Sequence, residues 1–195
     1  MTAQNLNVIV GISGASGAAI GARIVERLSE NPVCAVHLVV SPAAERTLAA
    51  EAGKDALARL RGLVACCYDH GDIGARIASG SFPVAGMIVA PCSVRTLSAI
   101  AYGQLSDLLV RAADVQLKER RRLILMLRES PLHLGHLRAM TMVSEIGAII
   151  APPVPAFYLK PQSLAEMVDH MAARAINLLD LPQLRAAMPV WTGEA

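Results

Sequence analysis

Residues 6–28 read LNVIVGISGASGAAIGARIVERL. The first seven form an apolar, β-rich run. From Gly17 onward the apolar spacing becomes helical, with Ile20, Ile24 and Leu28 on one face. Strand, glycine turn and helix, in that order, open a βαβ unit. The turn, GISGASG at 11–17, places glycine at 11, 14 and 17. Glycine lets the backbone turn tightly and approach an anion closely. Unpaired N–H groups at the helix start favour a phosphate, and Ser13 and Ser16 add hydroxyl donors. The G-x-x-G-x-x-G spacing is not the dinucleotide G-x-G-x-x-G, and the Lys-Ser/Thr of a P-loop is missing. That argues against NAD and ATP. On the loop alone, a tight turn without ligand would read the same way.

Outward from this unit, residues 35–40 (AVHLVV) read as a second strand. Ser41 is placed to cap the next helix, and Pro42 suits its first turn. Residues 63–67 are a weaker strand candidate. Residues 86–90 (GMIVA) are a strong one, followed by Pro91, Cys92, Ser93 and a helix. Residues 111–122 (RAADVQLKERRR) read as a basic helix running into a strand at 123–127 (LILML). A helix over 132–145, a last strand at 147–151 (GAIIA) and a long helix over 161–179 follow. Strands alternating with helices predict one parallel, doubly wound sheet. Residues 71–83 are the irregular stretch inside the fold. One α/β domain is expected over 1–182, with an arm at 183–195.

Composition agrees with that class. Of the 195 residues, 54% are hydrophobic but only 3% aromatic. Ala, Val, Ile and Leu therefore fill the core, as suits small-residue helices on a buried parallel sheet. The 18 basic and 16 acidic residues leave a net charge of +2, which gives no broad case for nucleic acid. Mean hydropathy is +0.45, yet no apolar run reaches the ~20 residues of a membrane helix. Large subunit contacts account better for the excess. The N-terminus lacks a basic leader and its apolar run is broken by glycines, so a cytoplasmic chain is expected. Cys34, Cys66, Cys67 and Cys92 show no CxxC spacing and read as structural free thiols. The five histidines lack zinc-site spacing, so no metal is expected.

In open parallel sheets, ligands bind beyond the carboxyl ends of the strands, and polar residues collect there in this sequence. Ser41 and Glu51 follow the second strand, although a helix cap and a solvated face would explain each alone. Pro91-Cys92-Ser93-Val94-Arg95-Thr96 puts two hydroxyls at another helix N-terminus, a second site for an anion or heterocycle. Arg128-Glu129-Ser130-Pro131 brings opposite charges to the fifth strand end. A stiff loop over 152–158 (PPVPAFY) follows the sixth. In the basic helix, Arg111 and Lys118 lie seven residues apart, hence on one face, with Asp114 between them. Two aligned cations there suit a second phosphate. Arg120, Arg121 and Arg122 fit a helix end complementing the dipole.

Taken together, GISGASG (11–17), ASGSF (78–82), APCSVRTLSAIA (90–101), RAADVQLKERR (111–121), LRESPLHLGHL (127–137) and PPVPAFYLKPQS (152–163) resemble the UbiX/Pad-type flavin prenyltransferases, once described as aromatic acid decarboxylase subunits. The resemblance runs from about Val8 to Leu179. It implies a three-layer, flavodoxin-like (Rossmann-like) fold with helices on both faces, and a homododecamer. It also implies a metal-independent reaction in which reduced FMN and dimethylallyl monophosphate give prenylated FMN and phosphate. The product would pass to a UbiD-type decarboxylase. Gly14, Ala15, Ser16, Ser41, Ser93, Thr96 and Arg128 match FMN-contacting positions, and Val94 and Arg95 lie within the same motif. Lys118, Tyr158 and Arg174 match positions gripping the dimethylallyl phosphate, with Arg111 beside them. Glu51 and Glu129 match carboxylates near the reacting atoms.

Those residue types fit the chemistry. Phosphate leaves carbon readily only when its charge is offset, which Lys, Arg and a Tyr hydroxyl do. A carboxylic acid can protonate the departing phosphate, and Ser16 can relay a proton with Glu51 or Glu129. Closing the new ring at flavin C6, after bonding at N5, needs apolar walls that exclude water. Many relatives carry Trp about six residues before ASGS, where Ile73 stands here, with Phe82 as a partial substitute. Trp191, the only tryptophan, reads either as a packed tail or as an aromatic lid over the site. A cysteine decarboxylase would need a histidine in an early helix, and none precedes His37. A non-catalytic FMN-binding subunit is the alternative, disfavoured because one FMN phosphate does not need so many cations.

Overall fold

The computed structural model describes residues 6–189 and Gly193, so Trp191 lies outside the described residues. Six strands, β1 (Leu6–Ile12), β2 (Cys34–Val40), β3 (Cys66–Tyr68), β4 (Gly86–Cys92), β5 (Arg122–Leu127) and β6 (Ile149–Ile150), form one sheet. Its order is β3-β2-β1-β4-β5-β6, and every neighbouring pair is parallel. The helices are α1 (Ala18–Ser29), α2 (Pro42–Ala52), α3 (Ala56–Leu63), α4 (Val94–Ala101), α5 (Leu108–Lys118), α6 (Leu134–Glu145) and α7 (Leu164–Asn177). The three-layer, flavodoxin-like fold with helices on both faces is the one expected.

Strand side chains alternate between faces, and β1 divides accordingly. Val8, Val10 and Ile12 pack with α1, α2, α3 and α7. Ile9 packs with Met87, Val89 and the apolar faces of α4, α5 and α6. Both faces are covered, which is why the strands read as unbroken apolar runs. The turn into α1 needs Gly17, whose φ is 102°. One turn on, a Cβ at Gly21 would lie 2.1 Å from the Ala90 carbonyl oxygen. Glycine there lets α1 press directly onto β4.

Several boundaries differ from the sequence reading. The helix after Ser41 breaks at Gly53, whose φ of 97° ends α2. Residue 63 belongs to α3, and the third strand starts at Cys66. The basic helix starts earlier, at Leu108, because Asp107 Oδ1 accepts the Val110 N–H at 3.0 Å. It also ends earlier. Arg120 takes a left-handed φ of 56° and Arg122 opens β5. Arg120, Arg121 and Arg122 are therefore a turn, not a helix end. The Arg121 guanidinium donates to the Gly80 and Phe82 carbonyls at 2.7 and 3.0 Å, pinning ASGSF to the amino end of β5. After α7, the Asn177 amide bonds both N–H and C=O of Ala186, and Leu184 is buried.

Candidate active site

In this strand order the chain leaves β1 for one face and β4 for the other, and a crevice opens where the two paths part. A cavity of about 660 Å³ lies there. Gly14 and Ala15 line it from the loop after β1, and Ser41, Pro42, Ala43 and Arg46 from the start of α2. Ser93, Val94 and Arg95 line it from the start of α4, Arg128 and Glu129 from the end of β5, and His70 from the loop after β3. A Cβ added at Gly14 would lie 2.4 Å from Ala43 Cβ, so the β1 and α2 walls meet only because residue 14 has no side chain.

Two helix N-termini abut this cavity, each with a serine cap. Ser41 Oγ accepts the Ala44 N–H at 3.2 Å. Ser93 Oγ accepts the Thr96 N–H at 3.2 Å and donates to Thr96 Oγ1 at 3.1 Å. Thr96 is buried behind Ser93 and supports it from there. The reading of Ser13 as a phosphate donor is corrected. Its hydroxyl donates to the Pro91 carbonyl at 2.9 Å and accepts the Ser93 N–H at 2.8 Å, tying the β1 loop to the β4 loop.

The head of α1 is also engaged. Both carboxylate oxygens of Glu51, on α2, accept the Gly17 N–H at 3.0 Å, and one accepts the Ala19 N–H at 3.2 Å. A carboxylate thus holds the amides that the sequence reading gave to phosphate. The anion-binding capacity moves to the starts of α2 and α4, beside Arg46, Arg95 and Arg128. Glu51 lines a separate cavity of about 690 Å³ with Arg23, Arg59 and Asp169. Ser16 is exposed on the loop that Glu51 holds through Gly17.

The remaining predicted residues fall into two other places. Tyr158 and Arg174 share a cavity of about 200 Å³ with His170 and the 152–154 loop. Arg111 pairs with Asp114 at 2.8 Å, and Lys118 pairs with Glu119. Lys118 ends α5 eleven residues after its cap, Asp107. At 1.5 Å per residue it sits about 16 Å away, beside Gly80 at the amino end of the sheet. One chain therefore does not bring Lys118 to Glu129. Phe82 does not line the large cavity either. It stands edge-on to the His37 ring, with centroids 5.2 Å apart, while Ile73 is 58% exposed. The sequence reading missed Arg46 and His70. Each follows a strand by a few residues, the signal that exposed the others.

The Flavoprotein family profile matches residues 1–176. The chain is 51% identical over 176 residues to the flavin prenyltransferase UbiX of Thauera aromatica, covering 90% of each chain. It is 48% identical over 186 residues to that of Salmonella typhimurium, covering 95% of this chain and 98% of the relative. Among solved structures, AnUbiX (PadA1) in complex with FMN and dimethylallyl pyrophosphate superposes with a TM-score of 0.89 at 40% identity, covering 96% and 100%. A dodecameric FMN-dependent UbiX-like decarboxylase from Escherichia coli O157:H7 gives 0.87 at 40% identity, covering 90% and 96%. The cysteine decarboxylase TvaF shares the fold, with a TM-score of 0.65 at 18% identity.

Proposed function

Because the chain belongs to the flavoprotein family, and within it to the flavin prenyltransferases, we propose that it joins the dimethylallyl group of dimethylallyl monophosphate to N5 and C6 of reduced FMN. A UbiD-type decarboxylase then receives the prenylated FMN. The observation that carries this reading is the switch-point cavity, where two capped helix N-termini and three arginines face one glutamate. Its volume is in the usual range for a cofactor site, and its charge suits a phosphate ester. We assign FMN to Gly14, Ala15, Ser41, Ser93, Val94, Arg95 and Arg128, with Thr96 supporting Ser93 and Ser16 at the rim. Reduced FMN supplies the nucleophile.

The chain's own residues do the rest. Lys118, Arg111, Tyr158 and Arg174 offset the charge of the departing phosphate. Glu129 protonates that phosphate. Glu51 holds the Gly17 amide and so fixes the loop carrying Ser16, its partner in the proton relay. The separation of Lys118 from Glu129 within one chain supports a site completed by a second copy. The E. coli O157:H7 relative is described as dodecameric, and we assign the same assembly here. Exposed Leu134, Leu137, Val154 and Leu164 suit subunit contacts. We place one flavin-binding domain at 1–182 and the reaction in the cytoplasm. There the four cysteines, all unpaired among the described residues, remain thiols. Among those residues, no helix is long and apolar enough to cross a membrane.

Phosphate release tests the reading. Inorganic phosphate is expected from dimethylallyl monophosphate only when reduced FMN is present, and in equal amount to the flavin consumed. Release without flavin would indicate a phosphatase and overturn it.

A further inference from the structure

We infer that Gly80 and Glu119 are the positioning residues of Lys118, holding its ammonium group for the substrate phosphate. The inference rests on Lys118 serving the dimethylallyl phosphate. Lys118 is the last residue of α5, so the helix sets its backbone but not its flexible four-carbon side chain. Two neighbours take up that freedom. Nζ donates to Glu119 Oε1, and the pair lies against Gly80 in the ASGSF stretch. A Cβ at Gly80 would stand 2.6 Å from Lys118 Nζ and 2.7 Å from Glu119 Cδ, and closer still to Glu119 Oε1. Gly80 is not among the left-handed glycines, so backbone strain does not require glycine there. What its missing side chain provides is room for the Lys118–Glu119 pair.

The loop under the pair is fixed from its other side. Arg121 donates to the Gly80 and Phe82 carbonyls at 2.7 and 3.0 Å, and the Phe82 N–H donates to the Ser79 carbonyl at 3.3 Å. A methyl group at residue 80 would therefore displace the two side-chain ends rather than the loop. The pair is not placed for stability. The Lys118 and Glu119 side chains are 45% and 34% exposed, and an exposed ion pair contributes little to folding. Its use is direction. An ammonium has three N–H donors, and with one given to Glu119 the other two are aimed at a phosphate. Arg121 also favours the charged form of Glu119. One carboxylate thus faces two cations, and the group keeps a net positive charge toward the substrate.

Initial rates of phosphate release from dimethylallyl monophosphate, with the full-length protein and saturating reduced FMN, test this. Gly80→Ala forces Nζ aside by about 1 Å to reach normal contact, and kcat/KM is expected to fall about 10- to 100-fold. FMN Kd, Tm and assembly size should stay at wild-type values, because neither the backbone nor the flavin cavity is touched. Glu119→Ala should lose as much, while Glu119→Gln keeps an acceptor for Nζ and should retain most of the rate. Combining Gly80→Ala with Glu119→Ala should cost little more than either alone, since both act through one side chain. A wild-type kcat/KM in Gly80→Ala overturns the inference. So do additive losses in the double variant, and so does a lowered Tm or a lost assembly, which would make the glycine structural. If the wild-type chain releases no flavin-dependent phosphate, the functional reading fails, and this inference with it. If wild type releases it and Gly80→Ala does so equally well, only the inference fails.

Discussion

Arg46, Arg95 and Arg128 face a single carboxylate, Glu129, around the strand-end cavity. Arg128 follows the end of β5 directly, so its backbone is fixed by the sheet through its N–H bond to the Cys92 carbonyl at 3.1 Å. Replacing it with Ala should weaken FMN binding at least about tenfold, as expected for a charge-assisted contact. Glu129→Gln should keep FMN affinity and slow prenyl transfer, read as phosphate release per bound flavin. A buried histidine adds to the acid sensitivity of the fold. Tyr68 donates to His37 Nδ1 at 2.8 Å, and His37 Nε2 donates to Asn7 Oδ1 at 3.1 Å. The Asn7 amide in turn donates to the Pro83 carbonyl at 2.8 Å. Burial pushes His37 down to about 4. The unfolded chain binds that proton near pH 6.5 and the folded chain does not. The contribution of neutral His37 is therefore fully present above pH 6.5 and is lost as pH drops toward 4, about 3 kcal/mol in all. Denaturant midpoints across this range should show the slope, and a flat profile would contradict the neutral His37. At this scale the sequence exposed residues that follow a clear strand, such as Ser93, Arg95 and Arg128. His70 follows the weakest strand candidate, which is only three residues long (Cys66–Tyr68) and only partly buried, so its strand end stood out less.

Element packing depends on small residues where helices meet strands. Gly21→Ala would push a methyl into the Ala90 carbonyl and should cost about 2–3 kcal/mol. In a chain of this size that lowers Tm by roughly 5–10 °C. A second tie joins α1 to α7. Arg23 and Arg27 each donate to Asp169 Oδ1 at 2.7 Å, and these guanidinium groups hold the Asp169 carboxyl well below its ordinary value. Its contribution is present above the ordinary Asp range and is lost as pH falls below it. Asp169→Asn should remove that acid loss, and about 1–3 kcal/mol with it. The alternation of strands and helices was readable because both sheet faces are buried, so apolar runs such as GMIVA stand out. Their ends were less readable. Gly53 breaks a helix through a φ that composition alone does not show, and Arg120 reverses the chain inside a run of like charges.

For the whole molecule, the arrangement divides the residues proposed for the reaction. The strand-end cavity assigned to FMN sits at the carboxyl end of the sheet, Tyr158 and Arg174 line their own cavity, and Lys118 lies at the amino end. No reading of a single sequence shows this division, because spacing along the chain does not say which copy a side chain serves. Lys118→Ala should bind FMN normally and lose prenyl transfer. Arg128→Ala should lose FMN binding. Mixed assemblies of the two should regain part of the activity if the site spans two copies, and none if each chain works alone.

The most direct measurement is the mass of the flavin extracted after anaerobic incubation of the protein with reduced FMN and dimethylallyl monophosphate. FMN heavier by one five-carbon unit is expected, with no adduct when protein or monophosphate is omitted. Unmodified FMN recovered from folded, flavin-loaded protein would contradict prenyl transfer by this chain.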